Sequence, residues 1–89
     1  MKPASVDIPT AFGQVLRQLR TRAALSQEAL ALDCGLDRTY ISLLERGLRQ
    51  PTLATLFVLS ERLGTRPSRV VSAVESAVGG PAPVTSGRR

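Results

Sequence analysis

Ser26–Glu45, SQEALALDCGLDRTYISLLE, decides how this chain folds, because the stretch reads as two short helices with one break between them. Ser26 is a good N-cap for the first helix, since its hydroxyl can accept a free backbone N–H of the first turn. Gly35 suits the left-handed residue that ends a helix, and Asp37 can cap the next one. Leu36 is the apolar plug of the turn. The stretch therefore predicts a helix-turn-helix.

Apolar residues outside this stretch predict three further helices. From Thr10 to about Ala24 they recur at intervals of three and four, as one buried helix face requires. Thr52 can cap a helix that runs to about Leu63, and Pro67 is a favoured first residue for the last helix. The two central helices are expected to end near Cys34 and Arg46.

These spans predict an all-α fold of five helices over residues 10–78. Residues 1–9 contain Pro3 and Pro9 and are expected to form a flexible N-terminal arm. Residues 79–89, GGPAPVTSGRR, are too poor in apolar side chains to build a core and are expected to be a disordered basic tail. Eighty-nine residues make one domain at most, and so small a core could depend on a partner subunit.

The charge is basic and is carried almost entirely by arginine. Twelve Lys and Arg against seven Asp and Glu give a net charge of +5, and Lys2 is the only lysine. Because a guanidinium group can donate two parallel hydrogen bonds to a phosphate or a guanine, this arginine bias favours a nucleic-acid partner. A generally basic surface is the alternative, since basic proteins have several kinds of partner.

Residues that carry most catalysis and metal binding are nearly absent. The chain has no histidine, and Cys34 is its only cysteine. One thiol without an imidazole cannot form a Cys-His catalytic pair, a multi-thiol metal site or an internal disulfide. We interpret Cys34 as a small buried hydrophobe, with redox sensing as the alternative. We therefore expect no enzyme activity, cofactor or metal, and a cytoplasmic location without a membrane partner.

Several different short motifs follow one another at characteristic distances between about Phe12 and Val74. They are Gly13, Leu16-Arg17, Leu19-Arg20, Leu25-Ser26-Gln27-Glu28-Ala29-Leu30-Ala31, Gly35-Leu36, Ile41-Ser42, Glu45-Arg46-Gly47, Pro51-Thr52-Leu53, Leu56 and Leu63-Gly64. In these motifs the chain resembles the Xre/Cro family of phage-repressor-like helix-turn-helix regulators. Residues 36–42 with Glu45-Arg46 also resemble the controller proteins of restriction–modification systems. The resemblance implies a compact repressor-like domain that binds double-stranded DNA sequence-specifically, regulates transcription and, as is common in the family, controls its own gene.

The first turn of the third helix is the expected centre of the DNA-binding surface, because such a helix enters the major groove by its N-terminal end. Arg38 can fork to O6 and N7 of guanine, and Thr39 can offer a hydroxyl to a base or a methyl to thymine. Tyr40 is long enough to reach a phosphate or a base, although its ring could instead pack under the helix.

Further expected contacts flank this first turn. Leu43 should face outward and could touch a thymine methyl or pack on a neighbouring loop. The family resemblance gives Gln27 a phosphate contact and a role in bracing the next helix; the alternative is a plain exposed helix residue. The resemblance also lets Arg49 reach DNA, while Arg46 and Arg49 could also be solvated surface charges. Thr52 could add a phosphate contact to its cap role, although the cap alone is sufficient to explain this residue. The full set of expected DNA-binding residues is Ser26, Gln27, Arg38, Thr39, Tyr40, Ser42, Leu43, Arg46, Arg49 and Thr52.

The resemblance also implies an ion pair. In the family, an arginine on the first helix pairs with a glutamate near the end of the third, and Arg20 and Glu45 match those positions. We expect this partly buried pair to hold the recognition helix against the first helix.

One recognition helix touches few base pairs, so we expect a two-fold homodimer that reads two half-sites about 34 Å apart. The expected dimer interface is the apolar stripe Val70, Val71, Val74 and Val78 of the last helix, together with the outward part of the fourth. The alternative is that the last helix packs internally. RNA polymerase is a further expected partner. The alternative function is an antitoxin-like module that binds a protein toxin as well as its own operator.

Overall fold

The computed structural model describes residues 6–79, and this range folds into five α-helices without a strand. They are α1 (Ile8–Arg22), α2 (Gln27–Cys34), α3 (Arg38–Glu45), α4 (Leu53–Arg62) and α5 (Pro67–Ala77). The predicted all-α fold with a helix-turn-helix is confirmed. Within residues 6–79, every helix is too short or too polar to cross a lipid bilayer.

Polar side chains start three of these helices as the sequence predicted. Each N-cap oxygen accepts a backbone N–H of the first turn: Ser26 from Ala29 at 3.0 Å, Asp37 from Thr39 at 3.2 Å and Thr52 from Thr55 at 3.0 Å. Gly35 ends α2 with φ 68° and ψ 32°, the left-handed conformation that a residue without Cβ adopts at little cost. The turn between α2 and α3 is therefore fixed by local bonds at both ends.

The first helix begins earlier than predicted. Asp7 is its N-cap, because the carboxylate accepts the N–H of Thr10 at 2.9 Å, and this bonding lowers the pKa of Asp7 below its ordinary value. Ile8 and Pro9, which the sequence assigned to the arm, are therefore helical, and a proline in the first turn sacrifices no helix bond. The rest of the predicted arm, residues 1–5, and the tail from residue 80 onward lie outside the described residues.

The core is shared by all five helices. Its most deeply buried large side chains are Leu16, Leu30, Ile41, Leu44 and Leu59, each at most 2% exposed. α1 contacts both α3 and α5, while α2 contacts α3 and α4. The helix that carries the expected DNA contacts is therefore supported from behind by α1 and from the side by α2.

α1 and α3 approach each other most closely at Gly13. A Cβ added there would lie 2.5 Å from the carbonyl oxygen of Leu44 and closer still to that of Glu45. Real Cβ atoms do not approach backbone carbonyls this closely, so only glycine allows the observed distance between the two helices. Gly13 thus sets how deeply the C-terminal half of α3 sits on α1.

The end of α1 carries the one positive-φ residue other than glycine in residues 6–79. Ala24 has φ 59°. Leu25 donates its N–H to the carbonyl of Arg20 at 3.1 Å, and Ala24 donates to that of Thr21 at 3.0 Å. These are the paired bonds of a Schellman motif, in which glycine normally occupies the left-handed position. The Schellman bonds therefore hold Ala24 in a conformation that its Cβ makes unfavourable by about 1 kcal/mol.

We expect Ala24→Gly to stabilise the protein by about 0.5–1 kcal/mol, because relief of this strain exceeds the entropy that glycine adds to the unfolded chain. Thermal unfolding followed by circular dichroism should show a Tm higher by roughly 2–8 °C. The matched control is Ala23→Gly, at a residue with φ −81°, which should lower the Tm. An unchanged or lower Tm for Ala24→Gly would contradict the assignment of strain.

Candidate nucleic-acid interface

The N-terminal turn of α3 presents two exposed polar side chains to solvent. Arg38 and Thr39 follow directly after the N-cap Asp37, and both are exposed. Neither ion pair found within the described residues involves Arg38, so its guanidinium group is not committed to a carboxylate in that part of the chain. This turn therefore presents a guanidinium group and a hydroxyl group that can both form hydrogen bonds with a ligand.

Side chains further along α3 are less accessible. Tyr40 is half-buried and packs against the hydrophobic core, which agrees with the alternative that its ring lies under the helix. Ser42 is half-buried as well. Leu43, expected to face outward, is also half-buried, so only part of its side chain is open to a ligand. The accessible surface of α3 is thus concentrated at its N-terminal end.

Arg20 and Glu45, the two residues expected to pair, are brought together between α1 and the end of α3. Arg20 Nε donates to Glu45 Oε2 at 2.5 Å, and Nη2 donates to Oε1 at 3.0 Å. The two side chains are only 12% and 3% exposed. The hydrogen bond to Glu45 raises the pKa of Arg20 above its ordinary value despite the opposing effect of burial, so Arg20 stays protonated. This forked geometry fixes α3 relative to α1 in both distance and angle.

Two further contacts extend the pair into a network. Gln27 Nε2 donates to Glu45 Oε1 at 3.0 Å, and Arg20 Nη1 donates to the carbonyl oxygen of Leu25 at 2.8 Å. The network therefore joins α1, the loop before α2, the first residue of α2 and the last residue of α3. Sequence reasoning paired only Arg20 with Glu45, although it gave Gln27 a general bracing role.

The start of α2 keeps hydrogen-bond donors free for a ligand. Gln27 uses one of its two amide protons on Glu45, so the second remains free for a phosphate oxygen. Ser26 is exposed, and its oxygen accepts a backbone N–H while its own proton remains available. Both groups lie at the N-terminal end of α2, where unpaired N–H groups and the helix dipole favour an anion.

The loop between α3 and α4 carries the other expected contacts. Arg46 is the C-cap of α3, and Arg49 lies in the loop; both are exposed. Gly47 has φ 76°, and a Cβ there would lie 3.0 Å from the Cα of Thr10, so the loop rests on the start of α1. Thr52 accepts a backbone N–H and donates its proton to the hydroxyl of Thr55 at 3.0 Å, which makes its cap role the dominant one.

The valines expected to form a dimer interface differ in how much of each side chain is accessible. Val70 is 3% exposed and belongs to the hydrophobic core, so its assignment to the interface was wrong. Val74 is half-buried against the core, and Val78 is half-buried. Of the four, Val71 alone is exposed, at 53%. The physical reason is that α5 packs against α1 and α4, which covers Val70 and part of Val74. Val71 lines the same apolar pocket as these two valines but remains open to solvent.

Three large apolar side chains on α4 are exposed instead: Leu53, Phe57 and Val58. Leu53 is 71% exposed and Phe57 is 56% exposed, and their i, i+4 spacing places them on one face of the helix. Sequence reasoning named the outward part of α4 without these residues, because α4 is apolar on nearly every side and its pattern does not separate inner from outer positions.

Cys34 ends α2 in a half-buried position and packs against the core. Burial raises the pKa of its thiol above the ordinary value. The thiolate that reacts with oxidants is therefore disfavoured, which supports the interpretation of Cys34 as a small hydrophobe.

Known proteins match both the sequence and the fold. The family profile described as Helix-turn-helix, HTH_3, matches residues 16–70, more than half of the chain. Control protein C.BamHI of Bacillus amyloliquefaciens is 45% identical over 62 residues, which cover 68% of this chain and 76% of that protein. The crystal structure of the restriction-modification controller protein C.AhdI from Aeromonas hydrophila has a TM-score of 0.68 at 44% identity, over 70% of this chain and 94% of that chain. SinR, a master regulator for biofilm formation solved in complex with DNA, has a TM-score of 0.65 at 28% identity, over 67% of this chain and 97% of that chain.

Proposed function

The chain belongs to the helix-turn-helix family HTH_3, and from this we propose that it is a sequence-specific DNA-binding regulator of transcription, of the restriction–modification controller type. The observation that carries the proposal is the exposed first turn of α3, with Arg38 and Thr39 uncommitted, held on a partly buried network of Arg20, Gln27 and Glu45. A rigid base under an accessible polar turn is what direct readout of base edges requires.

Recognition proceeds in two steps in this proposal. Exposed arginines and the free donors at the start of α2 first hold phosphates, and this attraction weakens by about 0.9 log unit per phosphate contact for each log unit of salt. Arg38 and Thr39 then test base edges in the major groove. Ser26, Gln27, Arg46 and Arg49 position the protein, whereas the first turn of α3 selects the sequence.

Arg38→Ala is expected to weaken operator binding by about 1–3 kcal/mol and to relax specificity at one base position, because a forked contact to guanine is lost. Binding-site selection from a randomised duplex pool would measure both effects. The matched control is Arg46→Ala, which should weaken all sequences by similar factors and reduce the salt dependence. An equal loss of affinity for every sequence in Arg38→Ala would make Arg38 a phosphate contact.

We further propose a homodimer built on the exposed apolar side chains Leu53, Phe57 and Val71. These residues lie on α4 and α5, two helices that contact each other, and exposed apolar side chains of this size are typical of an interaction surface. Two copies of α3 would then read two half-sites, which supplies the specificity that one helix lacks.

Phe57→Glu should shift the protein from dimer to monomer, because a carboxylate would be buried without a partner when the surfaces meet. Sedimentation velocity across a concentration series would measure the shift, and we expect the dissociation constant to rise by about a hundredfold. Leu32→Glu is the matched control, since Leu32 is 78% exposed but lies on α2. A parent protein that stays monomeric well above micromolar concentration, or an equal effect of both variants, would contradict this interface.

The proposed DNA site lies near the gene that encodes the protein. We expect the protein to protect a two-fold symmetric sequence upstream of its own coding region, and to block or recruit RNA polymerase there according to where that operator lies. DNase footprinting with increasing protein tests this. Absence of any protected site in that upstream region would contradict self-regulation.

The antitoxin-like alternative has no support in C.BamHI, C.AhdI or SinR, none of which is described as an antitoxin.

A further inference from the structure

A groove of about 240 Å³ lies between α1 and α5, on the side of the molecule away from α3. Gly13 and Arg20 share the face of α1 that contacts α3. Val15 and Arg22 line the groove, and they project from roughly the opposite face because successive helix residues are ~100° apart. A ligand in the groove would therefore leave α3 free to bind a duplex.

The floor of this groove is apolar. Val15 and Val70 are 6% and 3% exposed, and Leu19 and Ala73 complete the surface between the two helices. The groove is smaller than the roughly 300–1,000 Å³ of sites that enclose a small-molecule ligand. Its size suits one or two side chains of a larger partner.

The rim of the groove is cationic. Arg22 approaches from α1 and Arg69 from α5, both exposed, with the amide of Gln18 and the hydroxyl of Thr65 beside them. Among residues 6–79, no carboxylate lines the groove. The ion pairs of residues 6–79, one at Arg20 and one at Arg62, leave both rim arginines uncommitted. The rim therefore offers two forked donors without a partner in the described part of the chain.

The position of Arg69 is not explained by the stability of its own helix. It lies in the first turn of α5, which contains no acidic residue, and the helix dipole disfavours a cation there. Arg66, the residue before the helix, makes no capping bond with its side chain and adds a further positive charge. Arg69 thus raises the potential at the groove from a position where its own helix dipole disfavours a positive charge.

We propose that this arginine-edged groove, formed by Val15, Leu19, Arg22, Arg69, Val70 and Ala73, binds an acidic segment of a partner protein. An apolar side chain of the segment occupies the floor, and flanking carboxylates accept forked hydrogen bonds from Arg22 and Arg69. A nucleic-acid backbone fits less well, because a phosphodiester has no apolar group to cover the floor. The proposal goes beyond DNA binding and does not depend on it.

The test uses two fluorescein-labelled peptides, EELFEE and EEGSEE, which carry the same charge and differ in their apolar centre. Fluorescence anisotropy at low salt should show that the whole protein binds EELFEE more tightly than EEGSEE, by about tenfold. Arg22→Gln combined with Arg69→Gln should weaken binding of EELFEE by about tenfold, as the loss of two partly exposed ion pairs requires. All substituted side chains are exposed, and circular dichroism would verify that each variant remains folded.

Two single variants on α1 provide the matched comparison. Arg17→Gln removes the same charge as Arg22→Gln from an exposed position outside the groove, and should change the affinity by about twofold or less. Gln18→Glu places a carboxylate one turn before Arg22 and should weaken peptide binding by competing for it. Amide chemical shifts in the parent protein should change mainly at Val15, Thr65 and Ala73.

Several results would overturn the proposal. Equal losses of peptide affinity in Arg17→Gln and Arg22→Gln would show that the peptide responds only to the net charge of the protein. Equal affinity for the two peptides would show that the floor takes no part. No binding of either peptide up to about millimolar concentration would remove the site. If an arbitrary duplex displaced the peptide and lost its own affinity in the Arg22→Gln, Arg69→Gln variant, the groove would be a nucleic-acid surface.

Discussion

Arg20→Ala is expected to lower the free energy of unfolding by about 3–5 kcal/mol, because it leaves the carboxylate of Glu45, 3% exposed, without its cation. Such a loss is a large fraction of the stability of a domain this small. Urea denaturation followed by circular dichroism would show a lower midpoint with an unchanged slope. The network also predicts that operator affinity per folded molecule falls, since α3 loses its attachment to α1.

Arg22→Ala is the control for this variant. Arg22 lies in the same last turn of α1 but is exposed, so its loss should change the stability by no more than about 0.5 kcal/mol. The double variant Arg20→Ala, Glu45→Ala should be less destabilised than the sum of the two single variants, because removing both partners leaves no orphaned charge. A denaturation midpoint for Arg20→Ala close to that of the parent would contradict the stabilising role of the network.

Gly13→Ala is expected to cost about 3 kcal/mol or more, although it adds a single methyl group. That methyl would overlap the backbone carbonyls of Leu44 and Glu45, which cannot rotate away as a flexible side chain can. The helices would have to separate, and separation would also lengthen the hydrogen bonds between Arg20 and Glu45. Thermal unfolding would report the loss of stability, and operator binding at a temperature where the variant is folded would report the displacement of α3.

Gln14→Ala provides the comparison for Gly13→Ala. Gln14 is the next residue of α1 and is exposed, so its replacement by alanine, the better helix former, should be neutral or slightly stabilising. If Gly13→Ala were as stable as Gln14→Ala, the close crossing of α1 and α3 would be incorrect.

Features that depend on local chemistry could be predicted from the sequence. Ser26, Asp37 and Thr52 start their helices because each needs only a backbone N–H a few residues away. Gly35 ends α2 for an equally local reason, its missing Cβ. The resemblance to helix-turn-helix regulators and controller proteins, which rests on these signals and their spacing, is confirmed.

Features that depend on tertiary packing could not be predicted in the same way. Val70 and Val71 are adjacent valines, yet one is in the core and the other faces solvent, because the position of α1 decides which face of α5 is covered. The constraint on Gly13 arises from a helix that follows much later in the chain. The early start of α1 was missed because Pro9 was interpreted as part of the arm, whereas a proline after an aspartate cap is compatible with a first turn.

The proposed DNA contact is made by the N-terminal turn of α3, which reads base edges from a rigid support. Its most direct test is a crystal structure of the protein bound to the upstream duplex identified by footprinting. We predict that the guanidinium of Arg38 lies within about 2.7–3.2 Å of acceptors on a base in the major groove, with Thr39 beside it. A duplex seated against another surface, with Arg38 and Thr39 turned towards solvent, would contradict the account.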